Sequence, residues 1–128
     1  MKPLVGVDPP ATLARVFATR FGIEARAAIA ARGRFSCALP GGSVAEEFLP
    51  VLAAAPMDWS KVDFFWGDER AVGPDDPDSN FGLAKRLLLD RVPAQAHRMP
   101  GEEADLEAAA RVYAAQLAFV LGEPPRLD

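Results

Sequence analysis

Asp68, Glu69 and Arg70 follow without a gap behind the apolar, aromatic run from Val62 to Trp66 and a single glycine, Gly67. A carboxylate such as Asp68 can orient a sugar hydroxyl or a catalytic group. The planar guanidinium of Arg70 can grip a phosphate or carboxylate with two parallel hydrogen bonds. Side chains alternate along an extended backbone, so Glu69 is expected to point away from its neighbours and to serve a structural purpose. The competing arrangement is an internal Asp–Arg ion pair that closes a loop. A second candidate lies upstream, where Pro40-Gly41-Gly42-Ser43 stands between a strand-like and a helix-like segment. Two glycines let the backbone approach a ligand, and the first N–H groups of a helix lack intrahelical partners, so they can hold an anion. Ser43 adds a hydroxyl. The plainer alternative is a tight turn with a serine cap, with Glu46 and Glu47 close enough to oppose an anion. The run lacks the Gly-Lys-Ser/Thr of a nucleotide-phosphate loop and is not a dinucleotide GxGxxG.

Other residues with chemical potential carry less. Asp76, Asp78 and Asn80 take the first three ligand positions of a calcium loop, but Phe81 stands where its glycine belongs and Leu87 where its glutamate belongs. The stretch 75–80 therefore reads as turn and cap residues. One cysteine, Cys37, and one histidine, His97, cannot make a zinc site. Cys37 is expected to be a small apolar filler of a strand and His97 a surface residue or one set behind the site.

The elements that must position these groups follow from periodicity. Leu4 to Val7 suggests an edge strand. Apolar residues at helical spacing, Leu13, Phe17, Phe21, Ala25 and Ala28, predict a helix over 12–32 with Gly33 as its C-terminal cap. Phe35 to Leu39 predicts a strand. A helix is expected from Ser43, with Ser43 and Glu46 at capping-box spacing and a kink at Pro50. Val62 to Trp66 lacks polar alternation, as a strand covered on both faces does. Ser79 or Asn80 caps the next helix, which carries Phe81, Ala84, Leu87 and Leu88 on one side. A brief strand is expected over 97–99. A last helix over 105–121 places Leu106, Ala110, Tyr113, Leu117 and Val120 on one stripe, ended by Gly122. Alternation of this kind predicts an α/β fold: one Rossmann-like domain over 1–128, a mostly parallel sheet with helices on both faces.

Composition narrows the partners. The chain has 128 residues, enough for one domain with a core, and carries a net charge of -4 with its Lys and Arg scattered. A nucleic-acid partner, which needs a basic face, is not expected. No apolar run approaches the ~18 residues of a membrane span, and no signal pattern opens the chain, so a cytoplasmic setting is expected.

Taken together, Leu39-Pro40-Gly41-Gly42-Ser43, Phe65-Trp66-Gly67-Asp68-Glu69-Arg70 and Asp75-Asp76-Pro77-Asp78-Ser79-Asn80-Phe81, with Val92-Pro93 and His97-Arg98-Met99, resemble bacterial 6-phosphogluconolactonases, of the glucosamine/galactosamine-6-phosphate isomerase superfamily. The resemblance implies hydrolysis of 6-phosphoglucono-δ-lactone without metal or cofactor. It assigns Asp68 to catalysis and Gly41, Gly42, Ser43 and Arg70 to the substrate phosphate, with Glu69 and Asn80 behind them. Pro40 and Val44-Ala45 depart from the family's usual serine and Thr-Pro. Related glucosamine-6-phosphate deaminases carry Asp-Glu-Tyr in place of Asp68-Glu69-Arg70, which favours the lactonase. A deaminase-like protein and a non-catalytic sugar-phosphate-binding module remain the alternatives. The family's catalytic histidine belongs to a Gly-x-x-x-Asp-Gly-His run that this sequence lacks. The chain is thus expected to correspond to the N-terminal half of such an enzyme, inactive alone. Its open sheet edge is expected to pair with a second copy or with a C-terminal piece.

Overall fold

The computed structural model describes residues 9–128. The edge strand expected at Leu4 to Val7 lies outside the described residues. The elements run α1 (Pro10–Arg32), β1 (Phe35–Leu39), α2 (Gly42–Ala53), a 3-10 turn (Trp59–Lys61), β2 (Val62–Trp66), α3 (Asn80–Ala84) continued by a π-helical turn (Lys85–Leu89), β3 (Gln95–Ala96) and α4 (Leu106–Leu121). The three strands form a parallel sheet in the order β1-β2-β3.

The two faces of the sheet are covered unequally. Phe35, Leu39, Val62, Phe64 and Trp66 share one face and bury against α1, α2 and the α3 region, where Phe21, Leu49, Leu52, Ala84 and Leu88 complete the core. Phe21 lies at the centre, with its ring 5.1 Å from Phe35 and 6.1 Å from both Trp59 and Phe64. Gly33, at φ 83, ends α1 and donates to the carbonyl of Ile29, as the sequence requires of a left-handed cap. Cys37 packs on this core, and burial pushes its thiol up to about 12, which keeps it protonated and unreactive at neutral pH.

On the opposite face lie Asp63 and Phe65: His97 bonds the first and stacks on the second, and Tyr113 of α4 meets Phe65 edge-on. This helix differs from expectation. Its apolar stripe is not buried as a whole: Tyr113 is its only buried residue, Leu117 and Val120 are half-buried, and Leu106 and Ala110 are exposed; off the stripe, Val112 and Phe119 also face solvent. The last strand also differs. It forms at Gln95–Ala96 instead of 97–99, because backbone pairing with Asp63 and Phe64 sets its place and not side-chain apolarity. His97 still donates its backbone N–H to the carbonyl of Phe64 at 2.9 Å before the chain departs. Among the described residues β1 pairs only with β2. At its other edge Asp128 takes both backbone groups of Ser36: Asp128 N donates to Ser36 O at 3.1 Å, and Ser36 N to Asp128 Oδ2 at 2.9 Å.

His97 is neither at the surface nor beside the glycine turn. Its ring stacks on Phe65 with centroids 4.5 Å apart, its Nε2 lies 2.9 Å from Asp63 Oδ1, and its Nδ1 lies 3.1 Å from Gln116 Nε2 on α4. Arg34 Nε donates to the other oxygen of Asp63 at 2.6 Å. Burial opposes ionisation of Asp63, but the hydrogen bonds from Arg34 and His97 outweigh it and hold the carboxyl below its ordinary value. A carboxyl depressed in the folded state contributes stability that is complete above its unfolded value, about 3.9, and is lost as pH falls through the folded one. We predict that Asp63→Asn lowers stability by about 1–3 kcal/mol at neutral pH. The gap to the parent chain should stay constant above about pH 5 and close below about pH 4. Urea midpoints measured across that range check it, and a gap that widens on acidification contradicts it.

Candidate functional site

The two sequence motifs leave the sheet side by side. In the β1–β2 register Leu39 faces Trp66, and the next rung is the bond from Gly67 N to Leu39 O at 3.2 Å. Gly41-Gly42-Ser43 and Asp68-Glu69-Arg70 therefore start from the carboxyl ends of neighbouring parallel strands, where open α/β sheets form their ligand crevices.

The helix after the glycines begins one residue earlier than expected. Gly41 is the N-cap, Gly42 is the first helical residue with φ 68, and no side chain caps the helix. Ser43 thus lies inside the first turn, and the expected Ser43–Glu46 capping box does not form. The positive φ of Gly42 makes the difference, since it lets the chain enter the helix directly from the turn. Two consequences favour an anion. The amides of the first turn have no side-chain acceptor, and no acidic residue lies in that turn, so Glu46 and Glu47 are displaced from the helix mouth.

Glu69 lies past the end of β2, and its carboxylate is taken up by neighbouring donors. Its Oε1 accepts from the amides of Arg70 at 2.8 Å and Asn80 at 2.7 Å. Its Oε2 accepts from the amide of Phe81 at 3.1 Å and from Ser79 Oγ at 2.9 Å. Ser79 is the N-cap of α3, and its hydroxyl also accepts from Gly82 N at 3.0 Å. The carboxylate thus closes the loop 70–79 on itself and covers the positive end of α3.

Asn80 joins the two motifs. Its Nδ2 donates to Asp68 O at 3.1 Å and to Asp68 Oδ1 at 3.3 Å. Its carboxamide lies so close to Gly41 that a Cβ there would collide with Oδ1. Gly41, Asp68, Glu69 and Asn80 accordingly form one joined group. Gly42, Ser43 and Arg70 border it with exposed positions. The internal Asp–Arg pair does not form: no ion pair among the described residues includes Arg70. The stretch 75–78 is a turn, with Asp76 Oδ1 accepting from Asp78 N at 2.8 Å, and Ser79 and Asn80 open α3. Arg70 also lines an apolar groove of about 390 Å³ with Met99, Leu106, Ala110 and Leu117, which none of the glycine-turn residues borders.

Residues 8–128 match the family described as glucosamine-6-phosphate isomerases/6-phosphogluconolactonase. The chain belongs to this family. It is 40% identical over 108 residues to a 6-phosphogluconolactonase of Nostoc sp., which covers 79% of this chain and 45% of that protein. It is 39% identical over 119 residues to the 6-phosphogluconolactonase of Rhizobium meliloti, covering 91% of this chain and 51% of the relative. The crystal structure of a 6-phosphogluconolactonase from Shewanella baltica superposes with a TM-score of 0.82 at 29% identity, over 88% of this chain and 49% of that one. The chain spans about half the length of the relatives it matches. Within the family's fold, sequence reading missed two residues of the site's surroundings. Gly101 packs against the turn so closely that a Cβ would collide with the carbonyls of Arg70 and Val72, and Tyr113 bonds the end of β2. A Pro-Gly pair and a tyrosine on an apolar stripe gave no sign of this.

The Gly41–Asn80 contact yields a double-mutant test. Gly41→Ala is expected to displace the Asn80 carboxamide and to cost about 1–3 kcal/mol. In an Asn80→Ala background the same change should cost much less, because the obstructing group is gone. Denaturant midpoints of the four chains give the coupling. Simple additivity would show that the two residues do not meet.

Proposed function

We propose that the chain supplies the phosphate-gripping half of a 6-phosphogluconolactonase, an enzyme of the oxidative pentose phosphate pathway that hydrolyses 6-phosphoglucono-δ-lactone to 6-phosphogluconate. One arrangement carries the reading: an uncapped helix mouth and an arginine without an ion-pair partner among the described residues leave from adjacent strand ends. The names of the relatives support the substrate.

In this scheme the amides of Gly42 and Ser43, the Ser43 hydroxyl and the Arg70 guanidinium hold the phosphate. Remote binding energy is thereby turned into orientation of the lactone. Asp68 orients the sugar or the general base, and Glu69 and Asn80 keep its loop in place. The base removes a proton from water as the water oxygen bonds to the lactone carbonyl carbon. The tetrahedral intermediate then breaks its bond to the ring oxygen. The proton passes from the base to that oxygen, giving a hydroxyl and a carboxylic acid that ionises. The scheme uses no metal or cofactor. By family resemblance the base is the histidine of Gly-x-x-x-Asp-Gly-His, a run that these 128 residues do not contain. Pairing through a sheet edge with a C-terminal piece or a second copy completes the reading, in a cytoplasmic setting. The outward residues of β3, Gln95 and Ala96, are exposed. No helix among the described residues is long and apolar enough to cross a membrane.

Calorimetry with 6-phosphogluconate tests the binding half of the proposal. Binding is expected, and Arg70→Ala should weaken it about tenfold or more, as the loss of a charge-assisted hydrogen bond does. An unchanged affinity removes Arg70 from the phosphate site. A spectrophotometric assay tests the other half. The 128 residues alone should hydrolyse the lactone at least about 10²-fold more slowly than the full-length relatives. Turnover equal to theirs refutes the assignment of the base.

A further inference from the structure

Tyr113 occupies a place that a parallel ladder reserves for a backbone bond. In such a ladder one residue of a strand bonds two residues of its neighbour, donating its N–H to one and accepting at its C=O from the residue two positions on. His97 makes the first bond, from its N–H to Phe64 O at 2.9 Å. The second would run from Trp66 N to His97 O. Instead the Tyr113 hydroxyl stands between them: Trp66 N donates to Tyr113 Oη at 3.2 Å, and Tyr113 Oη donates to His97 O at 2.7 Å. The donors and acceptors balance, since one hydroxyl can accept one bond and give one.

The insertion has a definite location. Trp66 is the last residue of β2, and the next four residues are Gly67, Asp68, Glu69 and Arg70. On the β1 side the strand end is held by Gly67 N bonding to Leu39 O. On the β3 side it is held through Tyr113 alone, because β3 has already left the sheet. The Trp66 indole N–H is buried with no acceptor, so the side chain does not do this work. Tyr113 is 5% exposed and is the one buried residue of α4. Its ring meets Phe65 edge-on at 6.3 Å. A second tie of α4 to this face, Gln116 to His97 Nδ1, does not touch β2.

We propose that Tyr113 is a positioning residue: its hydroxyl, wedged into the β2–β3 ladder, sets where β2 ends and so aims the turn that carries Asp68 and Arg70. The ladder is held apart by one oxygen at the carboxyl edge of the sheet, where a crevice is needed. The positioning of a ligand group by this turn rests on the lactonase reading above, but the wedge itself does not.

Tyr113→Phe keeps the ring and removes the wedge, and Gln116→Ala is the control that loosens α4 elsewhere. Amide hydrogen exchange by NMR is read at Trp66 and Arg70, with Ala25 in α1 as the global reference, alongside the affinity for 6-phosphogluconate. The expected result for Tyr113→Phe is exchange at least about fivefold faster at Trp66, with a smaller rise at Arg70 and none at Ala25. Affinity should fall about three- to tenfold. Gln116→Ala should leave both readouts near the parent values, and restoring Tyr at 113 should restore both. Unchanged exchange at Trp66 overturns the proposal. So does a rise shared equally by Ala25, or an equal loss of affinity in both variants, since each marks a general loosening. If the parent chain does not bind 6-phosphogluconate, the lactonase reading falls, and the exchange comparison still decides the wedge.

Discussion

The parallel pairing of β1 with β2 is the constraint from which the rest of the site follows. Because Leu39 stands opposite Trp66, both strands end at the same height and release their loops into the same space. A slip of one residue would invert every side chain of β2, sending Phe64 and Trp66 out of the core and Asp63 into it. The buried aromatic cluster around Phe21 therefore fixes the register, and the register fixes where the glycine turn and the Asp68–Arg70 turn begin. Asn80 then joins the two turns, and Glu69 fastens the loop 70–79 that follows the second. Gly42, Ser43 and Arg70, the positions proposed to meet the phosphate, sit at the rim of a group in which Asp68, Glu69 and Asn80 bond one another. Such a division suits a binding site, because rigid support and free donors are supplied by different residues.

Much of this was legible in the residues. Mainly apolar runs, each broken by a single polar residue (Ser36, Asp63), marked Phe35–Leu39 and Val62–Trp66 with the boundaries the structure has, because strands buried by helices read without regular alternation. Gly33 announced the end of α1 by the left-handed backbone it alone adopts without strain. Strand alternation suggested that Glu69 points away from its neighbours with a structural purpose; β2 in fact ends at Trp66, and it is the four donors gathered on its carboxylate that set its direction.

What was hidden depends on partners distant in sequence. β3 is two residues long and exposed, so no apolar pattern announces it; it exists because Asp63 and Phe64 offer it backbone groups. The capping box at Ser43 and Glu46 had the right spacing but lost to Gly42, whose positive φ starts the helix earlier. Tyr113 looked like one more apolar position of a stripe, and its function lies in a hydroxyl that periodicity does not see. On that stripe Leu106 and Ala110 are exposed and Leu117 and Val120 only half-buried. A helix apolar on several sides ordinarily lies within a core, and α4 here buries a single side chain. His97 was expected at the surface or behind the site; the structure sets aside the surface and places its ring on Phe65, bonded to Asp63 and to Gln116 of α4.

The central claim is that the glycine turn and Arg70 act on one phosphate. An NMR titration with 6-phosphogluconate that follows the amides of Gly42 and Ser43 together with the Arg70 Nε–H tests it most directly. The account predicts that all three signals shift and saturate with one dissociation constant. Shifts confined to one of the two places, or saturating at different concentrations, would contradict it.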